Sequence, residues 1–510
     1  MTQEKTARGG AVMSRFDAFS RFLAASPVGR AFENPVSWGL MIAAAAALQV
    51  TLIATHTYFI DEWQALQIAV QSPDMAMLLE NLTYEGHPLL WYLFLRALAA
   101  LFGPYAALPL ASLICGLATQ YLVLFKSPFP RWARLMIVLS AFLLFEYSTI
   151  SRCYALGVML MFLTVALWEN RRWVWLPIVL LPQTDFLFGV FSVMFAFMCW
   201  RDGNRWPAGV LLWLASGLFA TWTVLPPDDI QTAYAPAQFG LDGIIVWLGR
   251  ISSMLLPYQG ISGPRWDDPL PIPFAMTMWL PFLVIVWDQT RGRALDRVMM
   301  ASFLALLLLF ILFIAPLMNR HTMLGAVLFM VLVWRARDQG HFLSAGFKVW
   351  LIAIAVCGLA AAGIVLSRPF DTAPQAARQV RELGLADQHW TTYPTQHAQS
   401  ISALTGIQFE RLGSDCMQDF IRWNERLGLN SPEEITAWLI PHAERHGTFY
   451  HLSSMSLPTG PVVQELTRIG AGYDGKRYYL YRIGDGTRMY DRELPRCVPG
   501  MNPLTDEPMI

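Results

Sequence analysis

Charge is what this sequence has least of. Asp, Glu, Lys and Arg make up 15% of its 510 residues, against 55% hydrophobic and 13% aromatic, and the mean hydropathy is +0.40. One soluble core cannot hold that much apolar surface, so many segments must be buried in lipid. The formal net charge is zero, which leaves no basic surplus to neutralise a phosphate backbone and argues against a nucleic-acid partner. There is no CxxC pair or Cys/His cluster among the six cysteines, and Cys115, Cys153, Cys199 and Cys357 read as small buried hydrophobes in or beside apolar segments. No Walker or Rossmann signature, internal repeat or low-complexity tract occurs. No cleavable signal peptide is expected either, since residues 1–37 are too polar and Trp38 opens a full-length span.

What the chain does have is apolar runs, at about 38–60, 107–125, 133–150, 154–168, 172–184, 186–200, 208–225, 270–288, 297–317, 322–334 and 347–366. The expected fold is therefore an α-helical polytopic membrane protein with about eleven transmembrane helices. Basic residues set the orientation. If residues 88–103 form a juxtamembrane helix rather than a crossing, Lys5, Arg8, Arg15, Arg21, Lys126, Arg131, Arg171, Arg201, Arg291, Arg335 and Lys348 collect on one side, with few such as Arg96, Arg152, Arg265 and Arg320 opposite. The N-terminal segment 1–37 is then cytoplasmic, the transmembrane domain covers 38–366, and 367–510 lies outside. Two outer loops follow, 61–106 and 226–270, the second holding another interfacial helix candidate and the proline- and acid-rich "GPRWDDPLPIP". The tail changes to a mixed polar composition and reads as a small C-terminal α/β domain, with a strand and turn at "RYYLYRIGDG" and a helix at "SPEEITAWLIPHAERHG" opened by Ser431 and Pro432. In an oxidising compartment its Cys416 and Cys497 would have the chance to pair. His442 and His446 have the i, i+4 spacing of a metal pair, but without a third ligand a solvated helix face is the better reading.

Sorted by side, Asp61, Glu62, Glu85, His87, Arg152, Asp185, Arg320 and His321 all fall at outer span ends or in the first outer loop. Charged groups at that depth are costly unless paired, solvated or used. Each alone has a bland reading: a solvated boundary for the acidic pair, snorkelling for either arginine, a turn for "EGHP". Together they offer a carboxylate base, arginines suited to gripping a phosphate, and a Glu85/His87 pair that would need a third ligand to hold a divalent metal. That set suits an amphiphile with a phosphate head.

The acidic pair closing the first span, "EGHPLLWYLFLRALAALFG" and "EYSTISRCYALGVMLMFLTVAL" resemble the membrane-embedded glycosyltransferases of the C class (GT-C), nearest the branch with protein O-mannosyltransferases and the aminoarabinose transferase acting on lipid A. The resemblance covers about residues 38–200, fades to 366 and is absent from the tail. One proline follows His87 where the family often has two, and Asp185 stands where it often has histidine. The resemblance implies a GT-C-like architecture in the bacterial cytoplasmic membrane. The activity would be transfer of a monosaccharide, with inversion, from a polyprenyl-phosphate-linked donor to an envelope acceptor such as lipid A core, a polysaccharide or a lipid. Asp61 would be the catalytic base, with Glu62 orienting the acceptor or supporting that base. Arg152 and Tyr154 would hold the leaving phosphate, and Glu85, His87, Asp185, Arg320 and His321 would line the substrate cavity. No cofactor is required, though Glu85 could ligate an optional metal. A lipid-linked glycan flippase, an oligosaccharide ligase or polymerase, and a scaffold are the alternatives. For the tail, a stabilising cap and an acceptor-recognition domain both stay open.

Overall fold

The computed structural model describes residues 27–230, 239–257, 266, 271–315, 317–424 and 427–498. The basic residues of the N-terminal segment up to Arg21, Arg265 and most of the proline- and acid-rich stretch lie outside the described residues.

The first part of the chain is all helix. Its elements are α1 (Pro27–Glu33), α2 (Pro35–Thr55), α3 (Ile60–Gln71), α4 (Met75–Glu85), α5 (Leu89–Phe102), α6 (Pro104–Tyr121), α7 (Arg131–Val138), α8 (Cys153–Ala166), α9 (Trp175–Leu180), α10 (Phe186–Arg201) and α11 (Pro207–Thr223). There follow α12 (Leu241–Leu255), α13 (Ile272–Gln289), α14 (Ala294–Phe313), α15 (Asn319–Thr322), α16 (Leu324–Asp338) and α17 (Ala345–Ser367). The start of α2 shows how local chemistry sets these bounds: Pro35 supplies a preset φ, and Asn34 Oδ1 accepts from the Val36 and Ser37 N–H groups. Among the described residues, 5 helices are long and apolar enough to cross a membrane: α2, α6 with its continuation to Lys126, α13, α14 and α17. Helices α5, α8, α10 and α11 are apolar but shorter. Leu211, Leu218 and Trp222 on α11 and Val349, Val356 and Leu359 on α17 are exposed, a surface suited to lipid tails.

The segments at 133–150 and 172–184 are not the single helices their hydropathy suggests. Helix α7 ends at Val138, Ser140 is extended, and the chain resumes in wider π-type turns over Ala141–Glu146. Helix α9 runs for 6 residues into a 3₁₀ turn at Leu181–Gln183, with Pro177 and Pro182 withholding N–H groups that a longer helix needs. Helix α16 is buried from Leu324 through Ala336, so its all-round apolar character is satisfied by neighbouring helices rather than by lipid.

The break after α7 lies directly against α17. A Cβ on Gly358 would stand 2.0 Å from the Leu139 carbonyl oxygen and 2.7 Å from the Ala141 nitrogen, both backbone atoms that cannot swing aside. Gly358→Ala should therefore destabilise the bundle by about 1–3 kcal/mol, the usual range for overpacking, read as a lower melting temperature in detergent. An unchanged melting temperature would show that the two segments do not pack this closely. At the other end of the bundle Arg335 joins Asp202 at 2.6 Å and Asp296 at 3.9 Å, and Arg293 meets Asp296 at 2.6 Å, tying α10, α14 and α16 together.

The tail folds as the small α/β unit the sequence suggests. Helices α18 (Ala373–Glu382), α19 (Gln399–Thr405) and α20 (Pro432–His446) pack with strands β1 (Trp390–Tyr393), β2 (Phe409–Arg411), β3 (Cys416–Gln418), β4 (Phe449–Ser453), β5 (Val463–Ile469) and β6 (Tyr478–Ile483). The strand order is β3-β2-β1-β4-β6-β5, with β1 parallel to β2 and β4 and the other pairs antiparallel. Ser431 Oγ caps α20 by accepting from the Glu434 N–H at 3.1 Å, and Cys416 is bonded to Cys497. His442 departs from the expected solvated face: it is buried, 3.3 Å from Glu410, whose carboxylate also meets His389 at 2.6 Å and the Tyr490 hydroxyl at 2.9 Å. The sheet domain sits on the bundle end that holds the first outer loop. The Asp371 N–H donates to Thr57 Oγ1 (2.8 Å) just beyond α2, the Tyr105 hydroxyl donates to Ala403 O (3.1 Å), and α19 lies against α3.

Candidate active site

The site begins with how α3 starts. The chain leaves α2, runs extended through the link to Phe59, and turns into α3 with Glu62 reaching back to accept from the Phe59 N–H at 2.9 Å. The same carboxylate takes His56 Nε2 at 2.9 Å and the backbone N–H of Ser151. Glu62 is fully buried and does not line the cavity, so it cannot orient an acceptor as first expected; it fixes α3 against the segment carrying Arg152. Adjacent residues on a helix point roughly 100° apart. Asp61 consequently turns the other way, into a cavity of about 320 Å³.

There Asp61 Oδ2 meets Arg152 Nη1 at 2.6 Å and Arg320 Nη2 at 3.4 Å, with the three side chains 30%, 11% and 12% exposed. Burial alone would push the Asp61 carboxyl up, but Arg152, Arg320, Lys476 and His87 together outweigh it and hold the carboxyl below its ordinary value. Arg152 caps α8, and its guanidinium lies 5.4 Å from the Tyr154 ring centroid. Arg320 is held through its carbonyl, which accepts from the Tyr147 hydroxyl. His321 takes the Met318 N–H at 3.1 Å and meets the Tyr154 ring edge-on, 5.7 Å between centroids. Tyr154 and His321 thus pack behind the arginines and are not lining residues.

Helix α4 closes on Gly86 in the left-handed conformation (φ 71°), which turns the chain between Glu85 and His87 so that both face the cavity. His87 Nδ1 lies 3.2 Å from Asp185 Oδ2, and Asp185 is the buried N-cap of α10, accepting from the Leu187 N–H at 2.9 Å. The donor atoms of His87, Cys153 and Asp185 lie within 4.8 Å of one another, a nitrogen, sulfur and oxygen set of the kind zinc takes. Glu85 is outside that group. Its Oε1 accepts from Gln64 Nε2 at 2.7 Å and Trp423 Nε1 at 3.1 Å. The structure therefore brings Asp61, Glu85, His87, Arg152 and Arg320 to one cavity, with Asp185 reaching it through His87. Sequence reasoning passed over Gln64, Trp91, Tyr92 and Trp423 in its lining. Gln64 carried a signal, since i+3 from Asp61 shares its helix face.

No protein-family model matches the sequence, and no curated protein matches it. In architecture the chain is similar to ArnT. The crystal structure of ArnT from Cupriavidus metallidurans in the apo state gives a TM-score of 0.48 at 9% identity, covering 87% of this chain and 97% of that one. ArnT from the same organism bound to undecaprenyl phosphate gives 0.38 at 10% identity, covering 90% and 100%. The chemistry rests on the cavity itself.

One wall of the cavity senses pH. Burial pushes the Glu85 carboxyl up to about 7, against the pull of the Gln64 and Trp423 donors and of His87. The fold favours the neutral acid, so its contribution to stability is complete below the ordinary value of 4.5 and is lost as pH rises through about 7. Glu85→Gln should flatten the fall in melting temperature between about pH 5 and pH 8 relative to wild type. Parallel curves would mean that Glu85 titrates in the fold as it does in water.

Proposed function

We propose that this protein is an integral membrane glycosyltransferase that moves a monosaccharide from a polyprenyl-phosphate-linked donor to an envelope glycan or lipid. The observation that carries the reading is one carboxylate, Asp61, shared by two nearly buried arginines in a cavity where the helical bundle meets its outer domain. The acceptor hydroxyl attacks the anomeric carbon as the carbon–oxygen bond to phosphate breaks. Its proton passes to Asp61, and the polyprenyl phosphate leaves with the electron pair, its new charge met by Arg152 and Arg320. Attack opposite the leaving group inverts the anomeric centre.

The resting pairing gives this chemistry an order. While Arg152 and Arg320 hold Asp61, the carboxylate is a poor base. A donor phosphate competes for both guanidiniums, and as they turn to it Asp61 regains basicity beside the reacting carbon. A divalent ion would be held by His87, Cys153 and Asp185, and would add positive charge for the phosphate. A transporter would keep its ionisable site near mid-depth, whereas the ion pairs tying helices of the described bundle gather at its two ends. The Cys416–Cys497 bond supports placing the sheet domain on the periplasmic side, where disulfides persist, with the N-terminus cytoplasmic.

The test is mass spectrometry of envelope glycolipids and polysaccharides from cells with and without the gene. One sugar should disappear from one acceptor on deletion and return with the wild-type gene. Envelopes identical in every sugar would overturn the proposal, and loss of a whole oligosaccharide would favour a ligase or polymerase.

A further inference from the structure

A second cavity, of about 590 Å³, has no part in the reaction above: every residue lining it belongs to the sheet domain. Strands β2, β1 and β4 are neighbours and run parallel, so they start at one edge of the sheet. The residues just before those starts, Gln408, His389 and Thr448, all line the cavity. After β6 the chain returns to this edge and is tied down at both ends. The Tyr490 N–H donates to Thr448 O at 2.9 Å, the Met417 N–H donates to Pro495 O at 2.8 Å, and the Cys497 N–H donates to Met417 O at 2.9 Å beside its disulfide. The segment so fixed brings Tyr490, Arg492 and Arg496 into the lining.

What stands behind the lining decides what it can hold. Glu410 is buried and does not face the cavity. Its Oε2 takes His389 Nε2 at 2.6 Å, the Tyr490 hydroxyl at 2.9 Å and His442 Nε2 at 3.3 Å. Burial alone would push the Glu410 carboxyl up, but the bonds from His389 and His442 outweigh it and bring it down to about 2. Glu410 is therefore an anion whose charge is spent on the two residues in front of it. It also sets their posture: the His389 and Tyr490 rings stack, 3.6 Å between centroids and 7° from parallel. With Nε2 turned to Glu410, His389 Nδ1 takes part in no hydrogen bond among the described residues, and an imidazolium would offer a donor there.

The charges in the lining itself are uneven. His389, Arg492 and Arg496 stand against one carboxylate, the exposed Asp387. Arg492 gives a single nitrogen, Nη1, to Asp415 at 2.8 Å, with side chains 33% and 67% exposed, a surface pair of the kind that holds weakly and yields to a competing anion. Guanidiniums grip a phosphate or carboxylate through paired N–H groups, while the Gln388 amide and the Asp387 carboxylate suit hydroxyls. The volume is that of a small-molecule site rather than of a bare ion.

We propose that this cavity binds an acidic sugar, its phosphate or carboxylate met by His389, Arg492 and Arg496 and its hydroxyls by Gln388 and Asp387. The site shares no lining residue with the cavity of Asp61, and the proposal does not rest on the transferase reading.

The test is calorimetric titration of full-length protein in detergent with glucose 6-phosphate, glucuronate, glucose and inorganic phosphate. One of the two acidic sugars should bind saturably, about tenfold or more tighter than glucose or inorganic phosphate; which one it is tells phosphate from carboxylate. His389→Gln should weaken that binding about tenfold, the order of one charge-assisted hydrogen bond. Arg492→Ala should do the same, and because its side chain is partly exposed it keeps the test decisive if His389→Gln fails to fold. Wild-type affinity in either folded variant overturns the proposal, as does a protein that binds neither acidic sugar. Glucose binding as tightly as the acidic sugars would remove the charge from recognition, and inorganic phosphate binding as tightly would leave an ion site only; each overturns it. Binding lost in Arg152→Ala and kept in His389→Gln also overturns it, by placing the anion in the helical bundle.

Discussion

Asp61→Asn is expected to lower the rate of sugar transfer by about 10²–10⁴-fold, the span covered by loss of a general base, in a protein that still folds and inserts. Asparagine keeps the shape of the side chain and loses both its charge and its ability to take a proton. The same change has a second consequence, opposite in sign. Arg152 and Arg320 are only 11% and 12% exposed, and without Asp61 they lose the anion that neutralises them, a costly state for buried charge. A phosphate then has no internal competitor, so the variant should bind undecaprenyl phosphate more tightly than wild type. Turnover measured with bound ligand in the same preparation separates the two effects. Wild-type turnover in Asp61→Asn would remove the carboxylate from the mechanism.

Arg152→Ala should cost about 10²–10³-fold in turnover, the usual loss when one preorganised donor to a developing anion is removed, and should weaken donor binding as well. Arg152→Lys should recover part of the binding and little of the rate, because an ammonium supplies charge but not the planar fork that grips a phosphate. There is also a predicted effect on pH dependence. Arg152 is the strongest of the charges that hold the Asp61 carboxyl low, so its loss lets that carboxyl rise. Residual activity in Arg152→Ala should accordingly fail at a higher pH on the acid side than wild-type activity does. A pH–rate profile that keeps the wild-type acid limb would show that the arginine does not control the base.

The ring of charge was legible because a bilayer makes depth readable: apolar runs fix where a chain leaves lipid, and charge near those exits is rare enough to stand out. That logic grouped Asp61, Glu85, His87, Arg152 and Arg320, and all five line one cavity. It could not tell Asp61 from Glu62, since depth is the same for neighbours and only the helical rotation at Phe59 separates a cavity residue from a buried clamp. Hydropathy also could not see what interrupts or surrounds a segment. It saw apolar stretches at 133–150 and 172–184 without the backbone breaks inside them, and it read α16 as one more span without showing that protein surrounds it. Trp423 was out of reach because its partner Glu85 lies 338 residues away. His442 was misjudged for a similar reason: the acid it meets, Glu410, sits 32 residues away on β2.

The last wall of the Asp61 cavity arrives late in synthesis. The segment that brings Trp423 to it follows directly on β3, and Cys416 in that strand is joined to Cys497 across 81 residues of later sequence. Asp61, Arg152 and Arg320 all precede that partner in the chain. A chain still being made therefore lacks that wall, and the disulfide beside the segment closes only once Cys497 has been made. The cavity is thus complete only once a segment made after all its other lining residues has folded against it.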